Sequence, residues 1–419
     1  MTSPEGYSVV SFDESRADEM ISVFSWGFAQ RVDADGREDF RRMFPWHRAR
    51  GIEVTDASRG RVGELAGVRS SHPMELRTPG GGALPAAGLT WVNVHPNHRR
   101  RGILSAMLRD HFARARARGE AFSVLFASEP VIYTRFGYSC ATVQRSADLR
   151  RSPRLREVPG SEGLSVRLET ADRHVHGAVI RAVQARMSRP GTPVSVGDTV
   201  IEEVFSDPLG QFSGAEPARI AIVEDADGPA AYAVFRRTLH WKDTGAAGEV
   251  VVQPWGAVDA AATHRLFSAV TNLDLMTSCQ VALGGDDVLP GLLPDVRAAG
   301  VKHRDGLWLR ILDVEAALGA RTYSAPIDAV IEVTDALIPT NAGRWHLRAN
   351  ADYTPTVERT DAPYDIRLDI SALGEAILGG RSLTSLADGG RVEESSAGQV
   401  LRASRALVSD QAPGCNLAF

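Results

Sequence analysis

The chain has 419 residues, 43% hydrophobic and 24% charged, a composition that fills ordinary cores and excludes a disordered polymer. A formal charge of -5 argues against a general nucleic-acid binder, and no run of about 18 apolar residues offers a membrane span. The acidic start, MTSPEGYSVV onward, lacks the basic and apolar stretches of a signal peptide, so a cytoplasmic location is expected.

Ser8–Phe12 reads as a strand and Ser15–Phe28 as a helix. Trp91-Val92-Asn93-Val94-His95-Pro96 alternates like a strand stopped by proline. The loop Asn97-His98-Arg99-Arg100-Arg101-Gly102 leads into a helix with Ile103, Leu104, Met107, Leu108, Phe112 and Ala115 on one face, and Gly119 is a natural stop. Ala121–Ala127 is a second apolar strand, followed by Ser128-Glu129 and Ile132-Tyr133-Thr134-Arg135-Phe136-Gly137-Tyr138.

The pattern then returns. Ser165–Leu168, with a helical stretch to Met187, echoes the N-terminal strand at an offset of 157. Glu249–Pro254 echoes the strand at Trp91 at an offset of 158. Two echoes at nearly one offset predict two copies of an α/β unit. From about residue 295 the character changes. Strands are expected at Gly306–Leu312, Ala329–Val333 and Trp345–Ala349, and helices at Val314–Arg321, Ile370–Leu378 and Ser382–Asp388. Together they read as a smaller α+β domain ending at Phe419.

Chemistry concentrates between Leu89 and Thr142. An arginine cluster and a glycine at the first turn of a helix suit a phosphate, because free backbone N–H groups and the positive dipole end face the anion. By itself HRRRG is as consistent with a solvated loop; the preceding strand and following helix favour a site. Cys140, Cys279 and Cys415 make no CxxC pair, which argues against a zinc ribbon or redox pair, and no metal is expected. His174 and His176 read as a surface pair without a third ligand. His95 and His98 read as local to the loop.

The V-x-V-x-P-x-x-R-R-x-G block, with ASE-x-x-IYxRFGY some thirty residues on, resembles the GNAT N-acetyltransferases and, more closely, the Eis (enhanced intracellular survival) family. Asp305–Ile311 and the terminal Phe419 fit the same pattern. The resemblance implies an α/β and α+β architecture: a GNAT unit over 1–155, a degenerate GNAT unit over 156–295, and a sterol-carrier-protein-like domain over 296–419. It implies acetyl-CoA as cosubstrate, bound by the first unit alone, because Trp255-Gly256-Ala257-Val258 stands where the second copy's arginine loop would be. Backbone groups of Val92, Asn93 and Val94 are expected to meet the pantetheine arm. Arg99, Arg100, Arg101 and Gly102, with Ile103, Leu104 and Ser105, are expected around the diphosphate. Ser128 and Glu129 flank the cofactor.

Tyr133 is the implied general acid, since a phenol can protonate a departing thiolate. Tyr138 is read as a packing residue. The implied base is the α-carboxylate of Phe419, docked inward by an apolar tail. Trp91 either lines the acceptor pocket or packs in the core. Asp33, Asp35, Glu38 and Asp39 either face a cationic acceptor or form a solvated face. The expected acceptor is a small primary amine, aminoglycosides included, with no nucleic-acid partner and a homohexamer as assembly. A longer-chain acyltransferase similar to N-myristoyltransferases and a ligand-binding protein without turnover are the competing readings.

Overall fold

The computed structural model describes residues 3–207, 212, 214–350, 352 and 354–419. Two mixed sheets lie side by side, and a third belongs to the C-terminal region. The first sheet runs in the order Tyr7–Ser11, Arg50–Val54, Leu65–Arg77, Ala83–Val94, Phe122–Phe126, Leu307–Ile311, Ser139–Cys140. The second runs Ser165–Thr170, Arg219–Asp225, Gly228–Thr238, Gly248–Ala257, Met276–Gly284, Val143–Arg150, Lys302–Asp305. Along these paths the orders correspond strand for strand, so the two echoes in the sequence do mark two copies of one topology; the first sheet carries one strand more, Pro193–Val196, paired with Leu65–Arg77.

The sheets do not respect cuts at 155 and 295. Val143–Arg150, N-terminal to the first cut, inserts into the second sheet between Met276–Gly284 and Lys302–Asp305. Leu307–Ile311, beyond the second cut, inserts into the first sheet between Phe122–Phe126 and Ser139–Cys140. Each unit therefore lends the other the same strand.

The third sheet comprises Ile327–Thr334, Gly343–Ala349, Pro355–Arg359, Ile366–Asp369 and Val392–Glu394, covered by helices that include Ile370–Ala376, Leu383–Asp388 and Gln399–Leu407. It is joined to the first sheet by a buried ion pair. Arg310, on the lent strand, donates to Asp335 at 2.6 Å, and both side chains are at most 1% exposed. Asn341 donates to the same carboxylate at 3.1 Å.

From Pro413 the chain runs without regular structure back between the two GNAT-like sheets. Asn416 donates to the Trp255 carbonyl at 2.8 Å, anchoring the tail to the second unit. Leu417 and Phe419 are buried, as the resemblance implies, whereas Ala418 between them is exposed. His176, read as a surface residue, is buried as well: its Nδ1 accepts from the Asp172 N–H and its Nε2 meets Glu169 at 2.9 Å. Among the described residues no cluster of three or more His, Cys, Asp or Glu side chains is placed to hold a metal ion. No helix there is long and apolar enough to cross a membrane.

Candidate active site

The strands Ala83–Val94 and Phe122–Phe126 pair in parallel over Ala86, Ala87 and Gly88 only. Beyond Gly88 they diverge, and the register against Leu65–Arg77 slips at Trp91-Val92, where Trp91 takes a left-handed φ of 57°. The bulge turns the strand away from its neighbour, so Val92, Asn93 and Val94 have no strand paired to them on the Phe122–Phe126 side. Asn93 cannot offer its side chain, because its amide is buried and donates to the Phe24 carbonyl at 3.2 Å.

Residues 95–102 then form the loop. Arg100 and Gly102 are both left-handed, at φ 61° and 79°. The helix Ile103–Ala117 begins at Gly102 with no side-chain cap. Its first internal bond runs from Ala106 N–H to Gly102 C=O at 3.0 Å, which leaves the N–H groups of Ile103, Leu104 and Ser105 unused. By contrast, the helices starting at Ala34, Arg173 and Ala260 are each closed by an aspartate cap. Alternating left-handed backbone at a bare helix start makes an anion cradle. Arg99 and Arg100 are exposed beside it. Arg101 is turned aside: it donates to the Tyr7 hydroxyl at 2.8 Å, which in turn meets His98 Nδ1 at 3.1 Å.

The second copy has no such loop. Its strand Gly248–Ala257 runs through Trp255, Gly256 and Ala257, which the sequence reading had placed in a loop, and Pro254 does not end it. Only Val258 and the cap Asp259 precede the next helix. Its bulge lies at Gln253-Pro254, opposite the slip between Ala233 and Phe235. The proline echo thus marks the right strand in the wrong register. A cavity of about 510 Å³ opens there, lined by Trp255, Asp259, Arg304, Asn416 and Ala418 among others. Asp259 closes the helix start against an anion.

Ser128 and Glu129 are exposed after Phe122–Phe126, and Tyr133 follows on the short helix Pro130–Thr134. The two tyrosines separate cleanly. Tyr138 is fully buried, its hydroxyl 2.6 Å from Ser123 Oγ, which lies 2.7 Å from His111 Nε2. Tyr133 packs edge-on against Tyr138 at 5.7 Å, and its hydroxyl has no hydrogen-bond partner among the described residues. Burial, with the nearby Glu129 charge, pushes its phenol up to about 12, so it stays protonated at neutral pH.

Phe419 comes to the point where the two strands part. Its ring packs edge-on against Phe126 at 5.4 Å and His72 at 6.2 Å. A Cβ on Gly88 would stand 2.8 Å from the ring, so glycine at the point of divergence admits the terminal residue. Trp91 sits in an aromatic cluster with Phe24 and Phe40, centroids 4.9 and 4.7 Å away, and its buried indole N–H has no partner. Asp33 caps a helix, and Glu38 and Asp39 pair with Arg42; Asp35 alone is a plain exposed acid. Sequence reasoning missed His72 and Glu203, which no motif marks and which meet only through packing of the second unit on the first.

Models of acetyltransferase (GNAT) domains match residues 9–141 and 203–311, and a sterol carrier protein domain matches 314–416. An uncharacterized N-acetyltransferase of Streptomyces avermitilis is 37% identical over 94% of this chain and 94% of its own. The N-acetyltransferase Eis of Mycobacterium tuberculosis is 33% identical over 93% and 94%. Among solved structures, Eis1 from Mycobacterium abscessus superposes with a TM-score of 0.80 at 29% identity, covering 99% of this chain and 100% of that one. A GCN5-related N-acetyltransferase from Anabaena variabilis gives 0.82 at 18% identity over 99% and 100%, a likeness of fold. With the bulged strand, bare helix start and doubled topology already in place, these matches make the chain a member of the Eis family of GNAT enzymes, an acetyl-CoA-dependent N-acetyltransferase.

Proposed function

We propose that the enzyme acetylates a primary amine of a small polycationic acceptor, aminoglycosides among them, within the first unit. The observation that carries this is the meeting of Phe419 and Gly88 where the two strands part. Acetyl-CoA supplies a thioester there. Val92, Asn93 and Val94 hold its pantetheine arm by backbone groups. Arg99, Arg100 and Gly102, with the free N–H groups of Ile103, Leu104 and Ser105, hold the diphosphate, and Ser128 and Glu129 border it. Arg101 braces the loop through Tyr7.

The Phe419 α-carboxylate takes a proton from the attacking nitrogen, and the Tyr133 hydroxyl gives one to the departing sulfur. Trp91 forms the apolar floor of the acceptor side. We place the enzyme in the cytoplasm as a homohexamer; sedimentation showing only monomer refutes that assembly. The test of the reaction is thiol release from acetyl-CoA by untagged protein with kanamycin, neomycin, spermidine or a lysine peptide. Release with the small amines and not the peptide is expected. A protein extended beyond Phe419 should be slowed at unchanged acetyl-CoA affinity, and unchanged turnover would remove the carboxylate from the mechanism.

A further inference from the structure

The helix Asp198–Phe205 of the second unit packs against the first unit and brings Glu203 to His72 on the strand Leu65–Arg77. Glu203 Oε2 and His72 Nε2 face each other at 3.6 Å, too far for a hydrogen bond, and both atoms are buried without a partner. His72 is 0% exposed, yet 24% of the Glu203 side chain remains open to solvent. Solvent thus reaches part of the Glu203 side chain, and the two orphaned polar atoms lie at its buried end. His72 is also the ring against which Phe419 packs, so the pair adjoins the residue proposed as base.

The surrounding charges leave Glu203 uncompensated. Arg42, from the helix Ala34–Met43, and Arg173, from the helix Arg173–Arg186, both turn to Glu202, at 3.7 and 3.1 Å. Asp39 is engaged with Arg42. Arg48 pairs with Glu120 at 2.5 Å. Burial, reinforced by Arg48 and His47, holds His72 down to about 3, so it is neutral. Its Nδ1 lies 2.8 Å from Thr199 Oγ1, and a proton donated there leaves Nε2 as an acceptor. Two polar atoms facing each other without a hydrogen bond, with no cation paired to the carboxyl, fit an alkylammonium group, which brings three N–H donors and a positive charge.

We propose that Glu203 and His72 form an ammonium-binding subsite, built by both GNAT units, that selects acceptors carrying a second amine beside the one acetylated. This rests on the N-acetyltransferase reading above. The attacked nitrogen must be neutral to react, whereas the second stays charged and is held by these two residues. Burial alone pushes the empty Glu203 carboxyl up to about 8. At pH 7 it is mostly protonated, and an arriving ammonium expels that proton.

The test compares 1,4-diaminobutane with 4-aminobutan-1-ol, which differ only in the second amine, on wild type, Glu203→Gln and His72→Gln. Wild type should favour the diamine by roughly 10- to 100-fold in kcat/KM, the range of a charge-assisted hydrogen bond. Glu203→Gln should lose most of that preference through the KM of the diamine, and His72→Gln part of it; the ratio of the two amines is read within each variant, so a general loss from disturbing Phe419 cancels. Calorimetry in buffers of different ionisation enthalpy should show proton release on diamine binding to wild type at pH 7 and none with Glu203→Gln. An unaltered preference ratio in Glu203→Gln overturns the subsite. If wild type acetylates neither amine, the reaction reading fails and calorimetry decides alone: diamine binding lost in Glu203→Gln supports the subsite, and equal binding overturns it.

Discussion

Replacing each of the two tyrosines by phenylalanine should produce opposite failures. Tyr133→Phe removes a hydroxyl that has no partner, from a side chain that is not fully enclosed. The fold therefore loses almost nothing, and acetyl-CoA affinity, which the proposed function assigns to the loop and the strand edge, should stand within about twofold. Turnover should fall by about 10²–10⁴, the usual contribution of a positioned general acid. Tyr138→Phe breaks the buried chain to Ser123, whose Oγ keeps His111 as its remaining partner. Its cost should be structural, about 1–2 kcal/mol of stability, with turnover nearly intact. Single-turnover thiol release, acetyl-CoA titration and denaturant unfolding separate the cases. Because the Tyr133 phenol titrates only near 12, wild-type turnover should also show no alkaline decline attributable to it below pH 10. A Tyr133→Phe enzyme turning over within threefold of wild type, or one that loses acetyl-CoA binding in proportion, refutes the assignment.

Asp335→Ala should destabilise the protein by about 3–5 kcal/mol, because it leaves Arg310 charged, buried and unpaired; an unchanged unfolding midpoint would contradict this. Gly102→Val imposes a β-branched residue at φ 79°, with only Pro4 near the new Cβ at 3.7 Å. Strain of about 1–2 kcal/mol should weaken acetyl-CoA binding roughly tenfold while the fold survives, as titration and circular dichroism can check. The folded-state pKa of Glu203, about 8, lies above its ordinary 4.5, so its protonated form stabilises the fold at low pH and that contribution is lost as pH rises through the interval. Glu203→Gln should therefore gain in melting temperature over wild type as pH increases from 5 to 8; a constant difference would show that the carboxyl is not perturbed.

Much of the site is local in sequence and was readable there. The alternating strand, Pro96, the arginines, Gly102 and the apolar stripe from Ile103 to Ala115 follow one another along the chain and act where they stand. The inward course of the tail rested on the family resemblance, because three terminal apolar residues alone say little about where a chain end docks. What escaped was non-local. The run Leu307–Ile311 reads as a strand whatever its partner, and nothing in it says that it lies beside Phe122–Phe126 rather than in the third sheet. Pro254 looked like a strand end because proline usually is one, yet here it occupies a bulge, where no ladder hydrogen bond is required. Glu203 follows Glu202 in Val-Ile-Glu-Glu-Val-Phe, a pattern that reads as the polar face of an amphipathic helix. Only the contact with Leu65–Arg77 turns one of the two glutamates inward, and a periodicity argument has no access to that contact.

The reciprocal loan of Val143–Arg150 and Leu307–Ile311 has a mechanical consequence. Two units joined by a linker can hinge, and many enzymes close such a hinge over their substrates. Here each sheet is threaded by a strand from the other, so swinging the two units apart as a hinge would tear backbone ladders on both sides. An acceptor must enter a cleft whose walls are already in place, and discrimination falls to the side chains lining it. The same lacing explains why a unit without a phosphate cradle is retained: cut away, it would take an inner strand of the first sheet with it.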